Sequence, residues 1–404
     1  MPGDLTFTID TTAYILLVFG LFIVPQLLER LHVPGAITSL GLGVLFGIGL
    51  GWFQGDQVIG LLSVFGICAL FLFAGLEVDT AVLRAAWRQL AIHLVFKSLS
   101  LAAAAALAVT YLHLEVQPAI ILALALLTPS TGFILSSIGR FGLTESERQL
   151  VTVKAIAAEL LALGALFVAL QSGSGRQLAI ASGVLGGMVL ILPVLFWIFI
   201  KLLLPLGPKT EFAFLLVLAI GCAAVTKALG AYYLVGAFLA GLIARLARSR
   251  EPRLLPTRVV DAIELFAAFF VPFYFLHAGL ELRREDFSWE ALLAGCIALL
   301  VLTPLRIGAL VVHRRLIHGQ ATRTSARVAI SLTPTLVFTL VLAAILRDQF
   351  VIPSWMFGGL IIYAIGTTLV PVFFLRGKGV AAADYTAPEA TEPHAADQLP
   401  TKAP

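Results

Sequence analysis

The sequence predicts an all-α polytopic membrane protein with about thirteen transmembrane helices. Three observations carry that reading. Hydrophobic residues make up 60% of the 404 positions, charged residues only 12%, and mean hydropathy is +1.00, which excludes a soluble chain of this size. Apolar runs of about 20 residues, each long enough for one bilayer-spanning helix, follow one another from Tyr14 to Leu375. Basic residues gather in alternate connections between those runs.

The runs lie near 12–28, 34–53, 57–76, 87–112, 117–138, 149–171, 177–203, 211–229, 231–247, 258–280, 288–312, 322–346 and 354–375. No basic stretch precedes the first, so no cleaved signal is expected. In the second, Gly43, Gly47 and Gly51 recur every four residues and make a small-residue face for close helix packing. The third ends in Phe71-Leu-Phe-Ala-Gly-Leu-Glu77. The fourth holds His93 and Lys97, for which packing and snorkelling are expected. The fifth is interrupted by Thr128-Pro-Ser-Thr131. The sixth carries Lys154 and Glu159, and the eighth Lys227 near its end. The tenth closes on Phe273-Tyr-Phe-Leu-His-Ala-Gly-Leu-Glu281, within which His277 is expected to be a hydrogen-bonded core histidine. The eleventh contains Arg306, and the twelfth is interrupted by Thr333-Pro-Thr335. Cys68, Cys222 and Cys296 all fall inside runs and are expected to be small packing residues, neither disulfides nor metal ligands. Residues 1–379 thus read as one transmembrane domain. Residues 380–404, rich in Ala, Pro, Thr and acids, read as a disordered tail.

The connections orient the chain. Arg84 and Arg88 follow the third run, Arg140 and Arg148 the fifth, and Lys201 and Lys209 the seventh. Arg245, Arg248, Arg250, Arg253 and Arg258 follow the ninth. Arg314, Arg315, Arg323 and Arg327 follow the eleventh, and Arg376 and Lys378 the thirteenth. Every basic-rich connection follows an odd run, so the positive-inside rule places the N-terminus outside and the C-terminal tail in the cytoplasm. The formal charge of +4 is therefore topological. No basic, aromatic-laced patch suggests nucleic acid. No catalytic triad, metal cluster or nucleotide loop appears, so neither an enzyme nor a cofactor is expected.

A faint repeat runs through the chain. Ala74-Gly-Leu-Glu77 recurs as Ala278-Gly-Leu-Glu281, Thr128-Pro recurs as Thr333-Pro, and Pro34-Gly-Ala36 is echoed by Val235-Gly-Ala237. The separations are 204, 205 and 201 positions. That offset spans seven runs, an odd number, so the second copy lies upside down relative to the first. The halves are about 34–203 and 231–375. Inverted repeats are a signature of secondary transporters, whose site lies at the midplane between the halves. Proline removes a backbone donor and clashes with the preceding turn. Two prolines at matching mid-run positions predict two crossed, broken helices, tolerated at membrane depth only where protein or a polar cavity covers them.

Glu159 is the outstanding polar group. It sits in Ala155-Ile-Ala-Ala-Glu159-Leu-Leu-Ala-Leu, at bilayer depth, where a carboxylate costs about 2.5–3.5 kcal/mol on insertion scales. Such a group can take up and release a proton or a cation. A monovalent cation needs several oxygen ligands. Glu159 supplies a carboxylate, the candidate site for the proton or cation. Thr128, Ser130, Thr131, Thr333 and Thr335 offer hydroxyls and carbonyls of unwound backbone. Lys154 lies five residues before Glu159 and is read as snorkelling or as part of the ion path. Arg306 stays protonated at any usable pH. It cannot be the titrating group.

With those residues in place, the order of motifs resembles the bacterial sodium/hydrogen exchanger family, in the second subgroup of monovalent cation:proton antiporters. The resemblance runs from about Pro34 to Pro371. Phe71–Asp79 is similar to that family's Phe-Leu-Ala-Gly-Leu-Glu-x-Asp. Tyr233–Ala244 is similar to its Gly-Ala-Phe-Leu-Ala-Gly-Leu segment, and Phe270–Leu282 to its Pro-Leu-Phe-Phe-x-x-x-Gly-Leu. The resemblance implies a sodium/proton antiporter-like fold in the bacterial inner membrane, and exchange of Na⁺ or K⁺ for H⁺, usually by a homodimer. It implies an ion site at two adjacent residues of the sixth span, here Ala158-Glu159, faced by a basic residue of the eleventh, here Arg306, which is then expected to hold Glu159 when no cation is bound. The chain departs from the family where Ala158 replaces a polar residue, Glu159 replaces Asp, and Ser331-Leu-Thr-Pro-Thr335 stands in place of a Gly-Glu-Phe stretch.

Two functions follow. The first is a secondary antiporter working by alternating access, one cation against one proton at Glu159, and therefore electroneutral. The second is a non-exchanging protein on the same fold: an organic-solute carrier, or a channel-like or sensory subunit. Ala158 favours the second; Glu159 with Arg306 favours the first.

Overall fold

A computed structural model describes residues 9–78, 80–85, 87–203, 205, 210–230, 233–250, 256–318 and 321–375. The expected tail, 380–404, lies outside the described residues, as do Asp79, Lys209, Arg253, Arg376 and Lys378. Among the described residues the chain is helical throughout, without strands.

The helices are α1 (Ile9–Glu29), α2 (Gly35–Val44), α3 (Gln57–Leu76), α4 (Thr80–Ala85), α5 (Trp87–Leu112), α6 (Val116–Leu127), α7 (Thr131–Ser137), α8 (Glu145–Gln171) and α9 (Gly175–Ile198). There follow α10 (Glu211–Ala228), α11 (Tyr233–Arg250), α12 (Thr257–Leu280), α13 (Trp289–His318), α14 (Thr322–Ser331), α15 (Leu336–Phe350) and α16 (Ser354–Phe374). Every apolar run of the sequence corresponds to a helix or a broken pair. The count of thirteen is higher than length and composition support among the described residues: ten helices qualify as spans, or eleven when α14 and α15 count as one. The difference has a physical cause. Gly35–Gly49 is short, with a wide turn from Leu45 to Gly49, and α11 carries Arg245, Arg248 and Arg250 in its last turns.

Glycine sets the spacing of the central helices. The face formed by Gly43 of α2 and Gly47 of the wide turn after it lies on α12: a Cβ at Gly43 would come within 2.1 Å of the Leu276 carbonyl oxygen. A Cβ at Gly75 of α3 would meet the Phe238 carbonyl of α11 at 2.3 Å. The two repeated Ala-Gly-Leu-Glu motifs thus pack in the same way, Gly75 against Gly241 and Gly279 against Gly43. Each motif ends its helix, with Glu77 and Glu281 as the C-terminal caps of α3 and α12. His277 is not the buried, hydrogen-bonded histidine expected. It is partly exposed, with Nε2 3.8 Å from Glu281 one turn later.

The two proline breaks are real. α6 stops at Leu127 and α7 begins at Thr131; Thr128 and Ser130 between them are extended (ψ 125° and 96°). The residue before a proline is driven out of helical geometry, which explains why the first break begins at Thr128; the second begins one residue before its threonine, at Leu332. α14 stops at Ser331 and α15 begins at Leu336, bent by 47°. The two breaks cross. The Ser130 backbone N–H donates to the Pro334 carbonyl at 2.8 Å, and the Phe338 N–H donates to Ser130 Oγ at 3.1 Å. Thr339 Oγ1 donates to the Ala125 carbonyl at 2.7 Å. Buried unwound backbone is thereby satisfied from the opposite break.

α8 runs alongside the crossing. Its start is fixed by a capping box: Glu147 N–H donates to Thr144 Oγ1, and the Glu147 carboxylate accepts from Thr144 N–H. The same carboxylate accepts from Arg327 Nε of α14 at 3.2 Å. Ala155, Ala157, Ala158 and Ala162 are all buried and let α8 approach closely, so Glu159 is carried into the centre.

Candidate functional site

Each half-helix end is a partial charge. The free N–H groups at a helix start are equivalent to roughly +0.5, and the free carbonyls at its end to roughly −0.5. The crossing directs the two positive ends one way and the two negative ends another, and the side chains sort accordingly.

Glu159 lies with the positive ends. It is 2% exposed and borders a closed space of about 10 Å³ with Ser130, Thr131 and Gly132 at the start of α7, and Val337 and Phe338 at the start of α15. The hydroxyl and backbone N–H of Thr131 face the carboxylate. Yet the Thr131 hydroxyl makes no hydrogen bond of normal geometry, and Glu159 Oε2 has no partner. The space is no larger than the minimum for one water, so the carboxylate is closed off in this conformation.

A funnel of about 900 Å³ leads to it. Its mouth carries Glu29, Arg140, Glu145 and Arg148, and Glu77 at the end of α3 and the exposed Glu264 of α12 also line it. Funnel and closed space share Leu70, Gly132 and Val337 as a common wall. Gly132 makes that wall thin, because a Cβ there would meet Leu70 Cδ1 at 2.7 Å.

Arg306 lies with the negative ends. Nη1 donates to the carbonyls of Leu126 (3.1 Å) and Thr333 (3.4 Å), and Nη2 to those of Leu127 (3.3 Å) and Leu332 (3.3 Å). These are the last carbonyls of α6 and the carbonyls that follow α14. Tyr363 of α16 completes the arrangement, accepting from Arg306 Nη1 at 2.8 Å and donating to the Leu126 carbonyl at 2.7 Å. Lys97 Nζ also donates to the Leu127 carbonyl. The expected ion pair between Arg306 and Glu159 is therefore absent in this conformation. Four carbonyls with no other helical partner hold the guanidinium instead. Lys97 is likewise no snorkelling residue.

The remaining expected residues divide. Ser130 and Thr131 join Glu159. Thr333 and Lys154 line a second cavity, of about 80 Å³, with Arg306. Thr335 Oγ1 is bonded to Thr367 Oγ1 at 3.0 Å. Thr128 is fully buried with its hydroxyl unpartnered and lines neither cavity. Sequence reasoning missed Tyr363, Leu70 and Val337, which look like ordinary apolar-span residues. Gly132, one residue after the Thr-Pro-Ser-Thr break, was the signal available.

The crossing thus holds a carboxylate at two positive helix ends and cations at two negative ends. The sequence pattern that describes the transmembrane sodium/hydrogen exchanger matches residues 15–376. The chain belongs to the sodium/hydrogen exchanger family. It is 26% identical over 274 residues to a probable Na⁺/H⁺ antiporter 3 of Methanocaldococcus jannaschii, covering 65% of this chain and 69% of that one. It is 26% identical over 386 residues to a putative Na⁺/H⁺ antiporter, YjbQ, of Bacillus subtilis, covering 88% of this chain and 61% of that one. The fold matches the structure of the sodium proton antiporter MjNhaP1 of M. jannaschii at pH 8, with a TM-score of 0.66 and 15% identity, covering 90% of this chain and 95% of that one.

Proposed function

We propose that this exchanger-family protein exchanges Na⁺ or K⁺ for H⁺ at Glu159 by alternating access, one cation against one proton. The observation that carries this is the state of the carboxylate. It is buried, has an oxygen without a partner, and stands between two helix starts behind a thin wall at the base of a funnel. A protonated Glu159 and a cation-bound Glu159 are both neutral there. Arg306 keeps its proton throughout, so only Glu159 changes occupancy. The cation would take its oxygens from Glu159 and Thr131, with Ser130 bordering the same space and Thr128 close by in sequence. Thr333, Thr335, Lys154 and Arg306 support the crossing and its electrostatics without touching the ion in this conformation.

The positive-inside rule supports an inner-membrane orientation with the N-terminus outside and the C-terminus in the cytoplasm. The funnel mouth, with Arg140 and Arg148, then opens to the cytoplasm. The paired glycine contacts and crossed breaks support two inverted halves, 34–203 and 231–375, and the family resemblance supports a homodimer.

The test is proton flux in proteoliposomes driven by Na⁺, K⁺ or Li⁺. Wild-type protein should release or take up protons on cation addition, with little effect of an imposed potential on the balance point. Glu159→Gln keeps shape and loses the titrating charge, so it should insert normally and show no cation-driven flux. Undiminished flux in that variant would sink the proposal.

A further inference from the structure

We propose that the second cavity beside the crossing, bounded by His93, Lys97, Lys154 and Arg306, is a binding site for a small inorganic anion of chloride size.

The charge balance points there. Three formal cations border the cavity, Lys97 from α5, Lys154 from α8 and Arg306 from α13, with His93 beside them and no carboxylate among the lining residues. The ends of α6 and α14 contribute roughly −0.5 each. Lys97 and Arg306 already outweigh them. Counted in their charged forms, the three groups leave a surplus of about two positive charges. Of the neighbouring groups, the His313 ring lies 6.2 Å from that of His93, and Arg314 is a further cation, one that the Glu147 carboxylate faces. The Glu147 carboxylate accepts from Arg327 and from Thr144 at the helix start.

Lys154 makes the site specific. It is 4% exposed, borders the cavity, and makes no hydrogen bond or ion pair among the described residues. Lys97 and Arg306 have carbonyl partners; Lys154 has none. An unpartnered buried ammonium is costly, and an anion in the cavity removes that cost. The Nδ1 atom of His93 is also buried without a partner. At about 80 Å³ the space exceeds the share of one water, roughly 30 Å³, and holds one halide ion. Ser100 and Thr333 also line the space, with their hydroxyls donating to the carbonyls of Phe96 and of Ile330 and Thr367. Ala158, one turn after Lys154 on the same face, keeps the space open with a methyl group.

The site is separate from Glu159, and its test reads binding without transport. Thermal unfolding of the purified full-length protein would be followed while sodium gluconate is replaced by sodium chloride at constant Na⁺, and then by sodium bromide. The expected result is a saturable rise of about 2–5 °C with either halide. Lys154→Gln should abolish the response. Ala158→Asp places a carboxylate in the cavity. It should raise the midpoint in gluconate and remove the halide response, which keeps the test decisive if Lys154→Gln does not fold. Identical unfolding in chloride and gluconate, or an undiminished halide response in either variant, overturns the proposal.

Discussion

The two cavities flanking the helix crossing differ in sign, size and partner. Around Glu159 the backbone presents helix starts, the side chain is an anion, and the free space is about 10 Å³. Around Arg306 the backbone presents helix ends, the side chains are cations, and the space is about 80 Å³. Both arise from the same two short breaks. One turn of unwound chain in each of two crossed helices therefore creates two opposite electrostatic environments, and α8 serves both. Ala158 borders the cationic cavity and Glu159 the other, because successive helical residues point about 100° apart. One position along α8 decides which environment a side chain enters.

The comparison breaks most severely at Arg306. Its guanidinium serves four carbonyls and Tyr363, and each buried carbonyl left without a donor costs about 1–3 kcal/mol. Arg306→Ala should therefore lower the thermal midpoint strongly and reduce the yield of folded protein, and exchange should fall with it. Arg306→Lys keeps the charge but loses the fork that reaches both helix ends, so its midpoint should fall between those of wild type and Arg306→Ala. If Arg306→Ala unfolded like wild type and lost only transport, the residue would act on Glu159 and not on the crossing.

This division is only half legible in the sequence. The fold is legible because its causes are local. Apolar runs of bilayer length and Thr-Pro at membrane depth each act within a few residues. Glu159 is legible because a lone carboxylate in an alanine-rich run costs too much at bilayer depth to be incidental. The partners are not. By charge alone Arg306 pairs with Glu159, but the partial charges of helix ends are invisible in a sequence until it is known where the helices stop and cross. Lys97 reads as snorkelling for the same reason. Residue type groups Thr335 and Thr128 with the ion ligands, and three-dimensional placement sets them apart. Tyr363 cannot be found at all, since nothing marks its hydroxyl as the group that joins Arg306 to the Leu126 carbonyl.

A smaller change would sharpen the contrast in access. Leu70 and Gly132 separate the Glu159 space from the funnel, whereas the cationic cavity shares no lining residue with either. Leu70→Ala should open the wall. A water-soluble carbodiimide added from the funnel side should then modify Glu159 several-fold faster, with Na⁺ protecting. Large-to-small substitution in a packed core costs roughly 2–5 kcal/mol, so the folded fraction must be checked in parallel. Gly132→Ala should do the reverse, pressing its methyl group on Leu70 and slowing both modification and exchange. Equal modification rates in all three proteins would mean that this wall does not control access to Glu159.

The mildest test compares two neighbouring hydroxyls. Ser130 Oγ accepts from the Phe338 backbone N–H and so belongs to the crossing. Thr131 Oγ1 faces Glu159 and has no partner of normal geometry, so it is free to turn toward a cation. Removing one ordinary hydrogen bond costs about 0.5–1.5 kcal/mol. Ser130→Ala should lower stability by about that amount and change the apparent affinity for the cation little. Thr131→Val preserves shape and removes only the hydroxyl. It should leave stability nearly unchanged and raise the half-saturating cation concentration by roughly two- to tenfold, the same energy expressed as an affinity. If the effects were exchanged, with Ser130→Ala weakening cation affinity and Thr131→Val lowering only stability, the ligand role would pass from the first residue of α7 to the residue before it.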